Sequence, residues 1–143
     1  MKFFFPVIIL SCFVSIGYTP VYAEGKIVVV INSKNDINSL TRDEVINIFL
    51  GRYRQFPSGM IAQPIDQEDQ NKKSLFYKKL VGKELSEINS YWARLVFSGK
   101  TRPPRQARDI DELLVLVNTL PGAVAYVEMD EINANVKVAF TLY

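Results

Sequence analysis

"KIVVVINSKNDINSLTRDEVINIFLG", Lys26 to Gly51, is the stretch from which the fold can be read. Lys26 to Ile31 is a β-branched run of strand length. It shows no alternation of apolar and polar residues, which predicts burial on both faces, as in a parallel sheet. Asn32 to Ser39 has the composition of a loop. Thr41-x-x-Glu44 is a capping box, so a helix opens there and runs through Leu50, where Gly51 suits the stop. A doubly buried strand that leads through a loop into a capped helix is the start of a layered α/β domain.

The pattern continues outward from that unit. Arg52 to Gly59 is an irregular connection, and a second strand is expected within Met60 to Asp66, where Pro64 points to an edge or a strand end. A helix is expected from about Gln67 to Val81, stopped by Gly82. Ser86 can cap the next helix, whose Ile88, Tyr91, Trp92, Leu95 and Val96 recur at helical spacing before Gly99 ends it. The same spacing reads Tyr91, Trp92 and Phe97 as core, whereas of the adjacent pair Phe76 and Tyr77 one is expected to be partly exposed. Asp109-x-x-Glu112 is a second capping box, and Ile110, Leu113, Leu114 and Val117 give its helix a buried face. Pro121-Gly122 then turns the chain into the strand "AVAYVE", and "VKVAFTLY" is the last strand. The expected fold class is α/β, with a mixed, mostly parallel sheet flanked by helices.

Composition narrows the chemistry. The chain has 143 residues and a formal net charge of +2, which argues against a general nucleic-acid binder. Histidine is absent and the single cysteine is Cys12, so Ser-His-Asp and Cys-His catalysis and imidazole or thiolate metal sites are excluded. No paired constellation suggests an enzyme, a cofactor or a metal centre. Lys2, the apolar run Phe3 to Ile16 and the ending Val21-Tyr22-Ala23 read as a secretory signal peptide over residues 1–23, cut after Ala23. This leaves one domain over residues 24–143, periplasmic or secreted. A competing reading takes Ile9-Leu10-Ser11-Cys12 as a lipobox, with Cys12 as a lipid anchor.

Three stretches are candidates for binding. "SGKTRPPRQAR", Ser98 to Arg108, carries Lys100, Arg102, Arg105 and Arg108 around two prolines, with no acid between Glu87 and Asp109. Because Pro103 and Pro104 stiffen it, the loop can hold Lys100, Thr101, Arg102 and Arg105 toward an oxyanion, aided by the N-terminus of the helix capped at Asp109. A solvated connector has the same composition. Ser33 and Lys34, with Asn35, follow the first strand and offer a hydroxyl, an ammonium and an amide where open α/β sheets bind ligands. In "IDQEDQNKK", Ile65 to Lys73, the acids suit a helix start better than a calcium loop, which needs a glycine turn.

"INSLTRDEVINIFLGRYRQFPSG", "FYKKLVGKELSEINSYWARLVFSGKTRPPRQ" and "NTLPGAVAYVE", in this order, resemble the phosphate-binding protein family of bacterial phosphate ABC transporters, and especially its short members. The resemblance runs from about Lys26 to Phe140. It implies a periplasmic-binding-protein-like (type 2) fold, a non-enzymatic exported binding role, and phosphate or a related oxyanion as ligand. It also implies a ligand role for Asp66, whose position matches an aspartate that accepts a hydrogen bond from a protonated anion. Full-length members close two lobes around the anion, and this chain corresponds mostly to one. They also carry a Gly-Ser-Thr-rich turn where this chain has Gln67-Glu68-Asp69-Gln70-Asn71. Two kinds of partner follow. One is a second surface, from a homodimer or another protein, completing the missing half. The alternative to solute binding is an interaction protein that docks on a membrane transporter, sensor or porin.

Overall fold

The computed structural model describes Gly17 and residues 25–143. The expected signal peptide and Cys12 lie outside the described residues, apart from Gly17. The elements run β1 (Ile27–Asn32), α1 (Arg42–Phe49), β2 (Gln63–Gln67), α2 (Gln70–Val81), α3 (Leu85–Phe97), β3 (Arg105–Ala107), α4 (Ile110–Thr119), β4 (Ala123–Glu128), a short 3-10 turn (Met129–Glu131) and β5 (Val136–Thr141). The five strands form one sheet in the order β3-β2-β4-β1-β5. β2 runs parallel to both β3 and β4, whereas β1 is antiparallel to β4 and β5. Four strands therefore point one way and β1 points the other. This is the mixed α/β sheet expected from the sequence.

All of β1 is buried, but not because its neighbours are parallel. Helices cover both faces. Val29 and Ile31 point into a core with Phe49, Phe76, Tyr77, Trp92 and Tyr126, from α1, α2, α3 and β4. Val28 and Val30 point into a second core with Leu113 and Val117 of α4. A strand with two apolar faces loses its alternation whichever way its neighbours run.

Helix ends follow the local chemistry. Thr41 and Glu44 form the expected capping box, and Gly51 and Gly99 adopt positive φ just beyond α1 and α3. Any side chain at Gly51 would also meet the Trp92 ring at 2.8 Å. Gly122 lies against the Ile61 carbonyl so closely that a Cβ would come within 2.0 Å of it. Three details differ from expectation. Glu84, not Ser86, is the N-cap of α3, and the Glu87 carboxylate accepts from its amide at 2.9 Å. Asp109 caps α4, but Glu112 turns back to the Arg108 amide and side chain instead of completing a box. Phe97 is 97% exposed, while Phe76 and Tyr77 are both fully buried. α2 packs against β2 and against α1 and α3, with Phe76 stacked on Tyr126 at 3.8 Å, so it has room for two buried aromatics side by side. Phe97 is the last residue of α3 and is not part of the core cluster.

Candidate functional site

The registers sort the sheet into two edges. The starts of β2, β3, β4 and β5 lie at one edge, together with the end of β1. The opposite edge holds the ends of β2, β3 and β4. The candidate residues divide between these edges: Ser33, Lys34, Lys100, Thr101 and Arg102 lie at the starting edge and Asp66 near the finishing edge, while Arg105 opens β3 in register with Ile65, the residue before Asp66.

Asp66 is 2% exposed. Its carboxylate accepts from the hydroxyls of Tyr77 (3.0 Å) and Tyr126 and from the Gln67 amide (3.0 Å), and it pairs with Lys73 at 3.4 Å. Gln67 Nε2 donates to the Tyr126 carbonyl at 2.7 Å. A buried carboxylate needs such donors to offset lost hydration. Burial, and next the charge of Asp66, push the phenols of Tyr77 and Tyr126 well above their ordinary range. The network joins β2, α2 and β4 across the core, and its hydrogen-bonding capacity is turned inward.

Just beyond it, the N-terminus of α2 carries its own anion. Asp69 accepts from the amides of Asn71 (3.0 Å) and Lys72 (3.1 Å). Glu68 beside it is exposed, and the same edge carries Asp109, Asp111 and Glu112 at the start of α4 and Glu128, Asp130 and Glu131 after β4. Cations there are fewer: Lys72 pairs with Glu131, and Arg108 pairs with Glu112. An anion reaching this edge would meet carboxylates where it needs donors.

The starting edge has the opposite character. Between the α1–β2 connection and the loop before β3 lies an open groove of about 1040 Å³. Arg54, Lys100, Thr101, Arg102 and Arg105 line it, beside Tyr53, Ile61 and Val96. Arg54 donates to the Lys100 carbonyl at 3.0 Å and so fastens the two walls together. Pro104 is buried and anchors the loop, while Lys100, Arg102 and Arg105 are exposed. None of these three side chains forms a salt bridge among the described residues, although Arg105 lies near enough to Glu112 for its charge to help lower the pKa of that carboxyl. The expected aid from the α4 N-terminus is not available here. β3 separates the cationic loop from Asp109, which places them at opposite edges of the sheet.

Ser33 and Lys34 are exposed at the end of β1. Because β1 is antiparallel, its carboxyl end lies where the other strands begin. The turn is held from behind. Asn32 Nδ2 donates to the carbonyls of Val117 (2.8 Å) and Leu120 (3.3 Å), and its Oδ1 accepts from the Lys34 amide (2.8 Å). Leu120 is also part of the groove wall, so the Ser33 turn flanks the groove without lining it. Arg54 and the apolar trio Tyr53, Ile61 and Val96 were not legible as site residues. The "RYR" triplet at Arg52–Arg54 was the available signal, but only the fold brings it beside Lys100.

Searches with the sequence match no family model and no curated protein. Solved structures do match the fold. An ABC-type phosphate transport receptor from Vibrio cholerae superposes with a TM-score of 0.64 at 18% identity, covering 80% of this chain and 45% of the receptor. A putative phosphate ABC transporter substrate-binding protein with bound phosphate, from Clostridium perfringens, gives 0.64 at 14% identity and covers 80% and 44%. A possible phosphate-binding protein from Planctomyces limnophilus gives 0.58 at 13%, covering 80% and 40%. The chain thus has the α/β fold of phosphate substrate-binding proteins and spans less than half the length of each. The resemblance read from the sequence holds at the level of fold.

Proposed function

We propose that the chain is an exported, non-enzymatic binding module of the substrate-binding type, which takes phosphate or a related oxyanion at the cationic groove for transport or sensing. One observation carries this reading. Lys100, Arg102 and Arg105, which form no salt bridge among the described residues, stand beside Arg54 on a stiff, anchored loop. Guanidinium groups held in this way can meet oxyanion oxygens in pairs. The neighbours that share the fold, one of them with phosphate bound, support the choice of ligand class. The acidic edge supports the choice of groove, since Glu68 and Asp69 occupy the α2 N-terminus. A periplasmic location fits the same neighbours and the expected signal peptide.

The groove is open, so water competes for each donor. We expect phosphate to bind with a dissociation constant on the order of 0.1 mM or weaker, about −5 kcal/mol. Isothermal titration of inorganic phosphate into the wild type, Arg102→Ala and Arg105→Ala tests this. Each substitution should weaken binding by about tenfold, ~1.4 kcal/mol. Equal affinity in all three proteins would move the site away from the groove.

A further inference from the structure

The groove carries more apolar surface than a free inorganic anion can use. Phe97 is 97% exposed, Ile61 64%, and Tyr53 and Val96 52% each. Ile61, Tyr53 and Val96 line the groove with the cations, and Phe97 stands beside Val96 at the tip of α3. The cationic loop follows directly, since Ser98 and Gly99 alone separate Phe97 from Lys100. The chain carries no acid between Glu87 and Asp109, and Glu44 adjoins the other wall, in a pocket with Tyr53 and Arg54.

Single apolar side chains that project outward among cations match one environment well. The boundary between headgroups and acyl chains of an anionic bilayer offers phosphate oxygens at the level of the cations and hydrocarbon just beneath. An acidic protein would need a pocket shaped for Phe97, whereas a bilayer accepts any protruding ring. Charge also orients the molecule. The acidic edge, with Glu68, Asp69, Asp111 and Asp130, lies across the sheet from the groove and would face away from an anionic surface.

We propose that this edge is a membrane-docking surface, with the groove cations on the phosphates of anionic phospholipids and Phe97 inserted below them. The proposal rests on the reading of the groove as a phosphate-group site, and it takes the membrane as the source of that group.

Co-sedimentation of the full chain with phosphatidylcholine vesicles, with and without a quarter of phosphatidylglycerol, tests it. Every variant keeps the same first 24 residues, so differences between variants report on the groove edge. Phe97→Ser should lower the partition coefficient for the anionic vesicles about tenfold, as expected for a phenyl ring left in water. Arg102→Ala and Arg105→Ala should each lower it about fivefold, and high salt should lower it further. Phe97 is exposed, so its substitution leaves the core intact, and unchanged emission from Trp92, the single tryptophan, verifies that.

Equal partition of wild type and Phe97→Ser overturns the insertion. Equal wild-type binding to neutral and anionic vesicles overturns the role of the cations. Groove-dependent binding to polyglutamate with none to vesicles makes an acidic polypeptide the occupant and ends the membrane proposal. If inorganic phosphate titrates into the groove while vesicles stay unbound, the proposal falls and the reading of a soluble oxyanion stands. If neither binds, both fall.

Discussion

At the scale of single residues, the most consequential side chain is one whose sequence context misled. "IDQEDQN" reads as an acidic helix start, and the family resemblance implies a ligand role for Asp66. It is a core residue. No local pattern announces this, because the hydroxyls that hold it come from Tyr77 and Tyr126, 11 and 60 positions away in the chain. The network predicts an alkaline limit to stability. Burial, with the charge of Asp66, keeps both phenols protonated in the fold above their ordinary range. An unfolded tyrosine ionises near pH 10, so above that pH the unfolded chain binds fewer protons than the folded one. Stability should therefore be intact below about pH 10 and fall as pH rises beyond it. Each such tyrosine contributes a slope of about 1.4 kcal/mol per pH unit. Urea melts at several pH values should show a steeper alkaline loss in the wild type than in Tyr126→Phe. Identical slopes would mean that the Tyr126 phenol is as free to ionise in the fold as in the unfolded chain. At neutral pH the same variant should cost about 1–3 kcal/mol, because Asp66 loses a donor where water cannot replace it.

At the scale of elements, most of what was legible came from repeated local signals. The capping box at Thr41 and Glu44, the glycine stops and the spacing of Ile88 and Trp92 each appear in the fold as read. β3 was not legible. "RQA" has no strand signature of its own and is extended only because β2 offers it an edge to pair with. That unseen strand is also why the cationic loop and the α4 N-terminus could be read as one cradle. α3 offers a clean test of the packing. Trp92 is 8% exposed, meets Tyr91 edge-on at 5.4 Å, and has a buried indole N–H with no partner among the described residues. Trp92→Ala should cost about 3–5 kcal/mol by opening a cavity. Trp92→Phe should cost much less, because it keeps a ring and removes an unsatisfied donor whose burial is worth about 1–3 kcal/mol. Chemical denaturation of both variants decides this. Equal losses would show that the indole N–H carries no penalty.

At the scale of the whole molecule, the sheet separates charge. Its direction of travel delivers the cationic loop to the edge where strands start and the acids that cap α2 and α4 to the edge where they finish. The near-neutral total of +2 conceals this, and so did the sequence, where Arg105 and Asp109 are only four residues apart. A bipolar molecule should show strong salt dependence for any anion it binds, because exposed charges are screened within about 10 Å at 0.1 M salt. Phosphate affinity should accordingly fall several-fold between low and physiological ionic strength. The central claim is that anions bind at the starting edge and not at the α2 N-terminus. Amide chemical shifts of the labelled protein, followed during a titration with inorganic phosphate, test it most directly. The account predicts saturable shifts at Arg54, Lys100, Thr101, Arg102 and Arg105, with Glu68 to Lys72 unmoved. Saturable shifts confined to Glu68 to Lys72, with the cationic loop silent, would contradict it.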